Sequence, residues 1–286
     1  STGITRRLIR LSTLLTGHMK GGRAQVTVVL STLMGGVSGS ATADAAMEAR
    51  ILGPDMIKRG YTRGYTAGVI GFTSLITATI PPGIGIIIYG TVGEVSIGRL
   101  FAAGLMVGLL MMVILMLTVR ITASVRGYKP ERETKASFGE IASSLSETVW
   151  ALIFPILLLV GIRFGLFTPS EVGAFACIYA VVVGIFIYRE LNWKNFVETV
   201  KITVGDIGAI MFIISLSGIF GYGIPVERIP QKLTALITGI STNPQVVLLI
   251  IIFFLILVGM IMEGSVAILL LTPILLPMVE TLGINS

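Results

Sequence analysis

In this chain of 286 residues 54% are hydrophobic and only 13% charged, whereas a soluble domain carries about 25% charged residues. A water-soluble fold is excluded, because apolar runs of about the 20 residues needed to cross a bilayer recur along the whole chain instead of forming one terminal signal or anchor. The net charge of +6 does not point to nucleic acid, since Lys and Arg sit in short segments between the apolar runs, where they set membrane orientation. Hydrocarbon offers the backbone no partners, so the spans are expected to be helical and the fold class all-α, with the lipid bilayer as solvent. Cys177 is the single cysteine and reads as packing; His18, the single histidine, lies beside Lys20 and Arg23 and takes no assigned role.

Residues 3–19 place Ile4, Leu8, Leu11, Leu14 and Leu15 on one side and Arg6, Arg7 and Arg10 on another, the pattern of an amphipathic helix lying in the interface. An apolar run over 24–34 then breaks at Gly35, Gly36, Val37, Ser38, Gly39 and Ser40, and residues 41–52 can be helical again, ending near Pro54. Both ends of this pair are basic, so it reads as a re-entrant hairpin whose tip is buried in protein or lines a cavity. Residues 65–89 are long enough to cross, yet Pro81, Pro82 and Gly83 remove backbone donors and break the helix. Further crossings are expected over 101–119, 150–167, 172–188 and 205–222, a second interfacial segment over 226–242, and a second hairpin from 246 with its polar tip at Glu263, Gly264 and Ser265. This scheme puts all 21 Lys and Arg on one side except Arg99, Arg163, Arg228 and Lys232, and the crowded side is cytoplasmic.

Leu11-Ser12-Thr13-Leu14-Leu15-Thr16-Gly17 lines up in register with Leu233-Thr234-Ala235-Leu236-Ile237-Thr238-Gly239, and Pro54 and Gly60 match Pro277 and Gly283 one residue out of phase. Interfacial helix, hairpin and Pro-Gly exit thus occur twice with an odd number of crossings between them, which predicts an inverted repeat with sites at the interrupted helices. The expected division is a first repeat over 1–121, a connector over 122–148, three spans over 149–222 and an interfacial helix with the second hairpin over 223–286. A partner for Pro81-Pro82 would fall beyond Ser286, so the chain reads as truncated at both ends.

Glycines at the first tip free backbone carbonyls, and Ser38 and Ser40 add hydroxyls, an all-oxygen set suited to a hard monovalent cation. The helix starting near Ala41 aims its positive end at the same tip and favours an anionic group such as a carboxylate. Thr73, Ser74, Thr77 and Thr79 on the broken helix are candidates to complete the ion's surroundings, or merely satisfy local carbonyls. Asp44 and Glu48 lie i,i+4; Asp44 is the functional candidate, and Glu48 is expected to pair with Arg50 or water. The spacing of Gly104 and Gly108 reads as close helix packing. There is no phosphate loop, metal-ligand spacing or nucleophile elbow, so neither ATP hydrolysis nor an enzyme is expected.

From Gly35 to Asp44, through Pro54, Lys58-Arg59-Gly60-Tyr61, Pro81-Pro82 and the closing Leu271-Thr272-Pro273-Ile274-Leu275-Leu276-Pro277, the chain resembles the large membrane subunit of tripartite ATP-independent periplasmic (TRAP) transporters. The resemblance implies a sodium-driven importer of organic acids in the bacterial inner membrane, working with a small membrane subunit and a periplasmic substrate-binding protein, by an elevator motion of hairpins and broken helices. By the same resemblance Ser38, Gly39 and Ser40 match the family's first sodium-site hairpin and the Pro81 break its facing broken helix; with Thr79 and Gly83 these are expected to surround sodium, Ser40, Asp44 and Thr77 are expected to meet substrate, and Glu263, Gly264 and Ser265 form the second tip, where the family often has an acidic residue followed by proline. The competing readings are a stand-alone sodium/carboxylate transporter of the divalent-anion type and, in another class, a channel or scaffold.

Overall fold

A computed structural model describes residues 4–164, 166, 169–189, 191–227, 232, 243–281 and 283. The described residues form helices and connecting turns. In chain order these are α1 (Ile4–Thr16), α2 (Gly22–Ser38), α3 (Ala41–Ile51), α4 (Gly53–Lys58), α5 (Arg63–Thr79), α6 (Ile84–Val92), α7 (Ile97–Arg126), α8 (Phe138–Arg163), α9 (Pro169–Val182) with a π-helical turn at Val183–Ile187, α10 (Trp193–Val226), α11 (Pro244–Gly259) and α12 (Gly264–Thr281). Two compact units result: residues 1–86 with 98–195, and residues 87–97 with 196–286. The second interfacial segment over 226–242, and with it the second copy of the heptapeptide match, lies outside the described residues.

In the first unit α2 is the central element. Most of its residues are buried, the polar Gln25, Thr27 and Ser31 among them, and it packs against α1, α5 and α8. Leu8 of α1, Leu30 and Met34 of α2 and Leu52 form one buried cluster; Ala24, Val28, Met56, Tyr61, Ile76, Ile80 and Val119 form another. The periodicity expected of α1 is present: Leu8, Leu11 and Leu14 are buried, while Leu15 is exposed. On α7 the buried residues Phe101, Gly104, Gly108, Val119 and Ala123 line one face, and Met106, Leu110, Val113, Leu117 and Ile121 line an exposed one. Gly104 and Gly108 admit α7 close to the broken helix, since a Cβ on Gly108 would stand 2.4 Å from Cγ1 of Ile80. By length and composition α7 and the Phe138–Leu158 part of α8 can each cross a membrane, and α5 with α6, bent by 48° at their break, make a third crossing if counted as one span.

Several boundaries differ from those the sequence suggests. Helix α8 begins well before residue 150, because Ser137 and Glu140 form a capping box: Glu140 N–H donates to Ser137 Oγ at 3.2 Å and Ser137 N–H to Glu140 Oε2 at 2.8 Å. Helix α12 runs to Thr281 through Pro273 and Pro277. Cys177, expected to be packed, is exposed on α9. In the second unit Val247 and Ile251 of α11 meet Met278 of α12, so these two helices run antiparallel around the turn at Met260–Glu263.

The polar connector after α7 is docked, not loose. Glu131 and Arg132 donate their N–H groups to the Gly17 carbonyl at 2.8 and 3.0 Å, and Arg23 pairs with Asp55 at 2.8 Å and Glu131 at 2.9 Å. Arg59 approaches the same two acids at 3.1 and 3.4 Å. The Arg23 and Glu131 side chains are only 13% and 10% exposed, so Arg23→Met leaves two carboxylates short of their better partner. Thermal unfolding is expected to show a loss of about 2 kcal/mol. Arg59, at 40% exposure, is expected to cost under about 1 kcal/mol when changed to Met.

Candidate functional site

The first tip is shorter than the run of glycines suggests. Helix α2 continues through Gly35 and Gly36 to Ser38, because these two positions are contact points: a Cβ on Gly35 would stand 2.7 Å from Cβ of Ile80, and one on Gly36 would stand 2.1 Å from Cγ of Pro155. The helix ends at Gly39, which takes the left-handed conformation (φ 62°) that side-chain-bearing residues avoid. Ser40 then caps α3, its Oγ accepting from Ala43 N–H at 3.4 Å and lying 3.2 Å from Thr42 Oγ1.

This two-residue tip rests on the break between α5 and α6. The Gly39 carbonyl accepts from Ile84 N–H at 3.2 Å, and a Cβ on Gly39 would stand 2.3 Å from the Pro82 carbonyl oxygen. The Pro81–Pro82 peptide is cis. Four helix ends therefore converge. The carbonyl ends of α2 and α5 bring partial negative charge, and after α5 the prolines cannot supply helical donors to its last carbonyls; the N–H ends of α3 and α6 bring partial positive charge. Gly39, Pro81 and Gly83 are buried, and Ser38, Ser40 and Thr79 half-buried. The Thr79 hydroxyl donates to the Leu75 carbonyl at 2.8 Å and lies 3.9 Å from Sδ of Met111, so its proton is spent within its own helix. Such an oxygen-rich, partly enclosed place suits a hard monovalent cation beside an anionic group.

Behind the tip lies a second polar group that the sequence only half reveals. Asp44 and Glu48, one turn apart on α3, are 1% and 0% exposed. Thr77 Oγ1 of α5 is 2.7 Å from Asp44 Oδ2 and 2.8 Å from the Ser31 carbonyl; Ser31 Oγ donates to Glu48 Oε1 at 2.9 Å. Thr73 Oγ1 is 3.3 Å from Glu48 Oε2 and 3.2 Å from the Ile70 carbonyl. Glu48 is thus not paired with Arg50: its turn of α3 faces α5, whereas Arg50 is exposed. Ser74 donates to the Gly71 carbonyl at 2.9 Å, the purely local role. Asp44 and Thr77, expected to meet substrate, are bonded to one another below the tip, and of the three residues so named Ser40 alone is at the tip itself. Ser31 is the residue that sequence reasoning missed; its only signal is a hydroxyl inside an apolar run.

In the second unit Glu263 precedes α12 and caps it, accepting from Ser265 N–H at 2.8 Å, Val266 N–H at 3.3 Å and Ser265 Oγ at 3.2 Å. Glu263 and Gly264 are exposed and Ser265 half-buried.

Interrupted helices meeting inside an apolar helical chain define the class as a helical membrane protein built around broken helices. Over residues 1–286 the sequence matches the family described as the tripartite ATP-independent periplasmic transporter, DctM component, and the chain belongs to that family. It is 36% identical over 283 residues to a putative TRAP transporter large permease protein of Haemophilus influenzae, covering 99% of this chain and 66% of the relative. It is 33% identical over 287 residues to the C4-dicarboxylate TRAP transporter large permease protein DctM of Pseudomonas aeruginosa, with coverage of 99% and 66%. With the sialic acid TRAP transporter large permease protein SiaM of Vibrio cholerae it shares 34% identity over 285 residues, with coverage of 100% and 66%. The chain therefore spans 66% of the length of these relatives, which are named as transporter permeases and not as enzymes.

Proposed function

We propose that this chain is the main part of the large permease subunit of a sodium-coupled TRAP transporter, importing an organic acid across the bacterial inner membrane. The observation that carries the reading is the meeting of the Gly39–Ser40 tip with the Pro81–Gly83 break. Sodium is cargo as well as driving ion, held by backbone oxygens at Ser38, Gly39, Thr79, Pro81 and Gly83 and by the Ser40 hydroxyl. Its charge and the N–H ends of α3 and α6 together favour a carboxylate at Ser40. Asp44 and Thr77 act from below, holding α3 against α5 so that the tip keeps its place. The Glu263–Ser265 turn is the counterpart tip of an inverted repeat, and the two hairpins move in an elevator-type cycle. The relatives named for a C4-dicarboxylate and for sialic acid support an organic-acid substrate, and the tripartite family supports a small membrane subunit and a periplasmic binding protein as partners.

The test is uptake of labelled organic acids by proteoliposomes holding the full-length subunit and its small partner, with and without the binding protein and an inward sodium gradient. Uptake is expected to need both. Ser40→Ala is expected to raise the sodium concentration for half-maximal uptake about tenfold, the equivalent of one lost ligand worth about 1.4 kcal/mol. Uptake without the binding protein supports a stand-alone carboxylate transporter, and sodium-independent flux overturns the ion site.

A further inference from the structure

The cluster behind the tip has more close oxygen contacts than its hydroxyl groups have protons. A hydroxyl donates once. Ser31 spends its proton on Glu48 Oε1 at 2.9 Å. Thr73 has one proton and two acceptors in reach, Glu48 Oε2 at 3.3 Å and the Ile70 carbonyl at 3.2 Å. If Glu48 is a carboxylate, one of those two contacts sets acceptor against acceptor. A full negative charge then also lies in a residue with 0% exposure, one turn from Asp44 at 1%. A buried charge of that kind requires a partner. Among the described residues none forms an ion pair with Glu48. On the elements packed against α3, Arg23 of α2 is engaged with Asp55 and Glu131, Lys58 of α4 and Arg63 of α5 are exposed, as is Arg50 of α3 itself, and Tyr65 of α5 is bonded to Thr122.

Placing a proton on Oε2 resolves the count at Glu48. Glu48 then donates to Thr73 Oγ1, Thr73 passes its own proton to the Ile70 carbonyl, and Ser31 donates to Oε1. Each contact of Glu48 then has its hydrogen and no charge remains on it; Thr77, with one proton between Asp44 Oδ2 at 2.7 Å and the Ser31 carbonyl at 2.8 Å, is a separate case. We propose that Glu48 is a proton-binding site, a neutral carboxylic acid held between the first hairpin and α5. It does not depend on the transport reading, because the sodium ligands proposed above do not include Glu48, Ser31 or Thr73.

Infrared spectroscopy of the purified full-length subunit at neutral pH tests this directly. The difference spectrum of wild type minus Glu48→Gln is expected to show the C=O stretch of a protonated carboxylic acid, shifted when glutamate is carbon-13 labelled. Glu48→Gln, whose amide reproduces one donor and one acceptor without charge, is expected to keep the wild-type unfolding temperature, whereas Glu48→Ala loses several degrees. A difference spectrum with carboxylate bands alone, or a Gln variant as unstable as the Ala variant, overturns the proposal.

Discussion

Gly39→Ala is expected to destabilise the protein by about 3 kcal/mol and to abolish sodium-driven uptake. Two costs add. At φ 62° a Cβ meets the backbone at a cost of about 1–2 kcal/mol, and at 2.3 Å from the Pro82 carbonyl oxygen it overlaps backbone that cannot rotate away, at about 1–3 kcal/mol. The functional loss follows because the only relief is for the tip to lift off the α5–α6 break, which separates the two sets of carbonyl oxygens. Gly68→Ala is the control. Its Cβ would meet nothing within 4 Å, and in mid-helix it is expected to be neutral or to stabilise by up to about 1 kcal/mol. Unfolding in detergent and uptake in proteoliposomes read both changes.

Thr77→Val is the second large effect, expected at about 3 kcal/mol. The valine keeps the shape but removes the hydroxyl that lies 2.7 Å from Asp44 Oδ2 and 2.8 Å from the Ser31 carbonyl, leaving buried oxygens of α2 and α3 without their shared partner on α5. Asp44, at 1% exposure, has no solvent to replace the lost hydroxyl. Thr79→Val, two residues on, is expected to change stability by less than about 0.5 kcal/mol, because its hydroxyl only returns to the Leu75 carbonyl. It should also leave sodium dependence intact, since its part at the tip is played by the backbone. Equal effects of the two valines would show that the hydroxyl of Thr77 is not what joins α3 to α5.

What could be read from the sequence follows from how local each cause is. The break at Pro81–Gly83 is legible because a missing N–H acts wherever the proline sits. The apolar side of α1 is legible because it repeats with the helical period. Gly35 and Gly36 are misread as part of a loop because a glycine that frees the backbone and a glycine that admits Ile80 or Pro155 look the same until the neighbouring helices are placed. The same holds for Glu48, whose partners Ser31 and Thr73 come from two other helices, while the nearby Arg50 is only close in sequence. Helix α12 runs through Pro273 and Pro277 to Thr281, since neighbouring groups in apolar helices can take up the freed carbonyls.

The measurement that bears most directly on the central claim is the unfolding temperature of the full-length permease in sodium chloride against potassium chloride at equal ionic strength, for wild type and Gly39→Ala. An ion bound only by the folded tip stabilises it by about 2.7 kcal/mol at a hundred times its dissociation constant. Sodium is expected to raise the wild-type midpoint by a few degrees over potassium and to leave that of Gly39→Ala unmoved. The same sodium shift in both proteins would contradict a sodium site at the meeting of the tip and the broken helix.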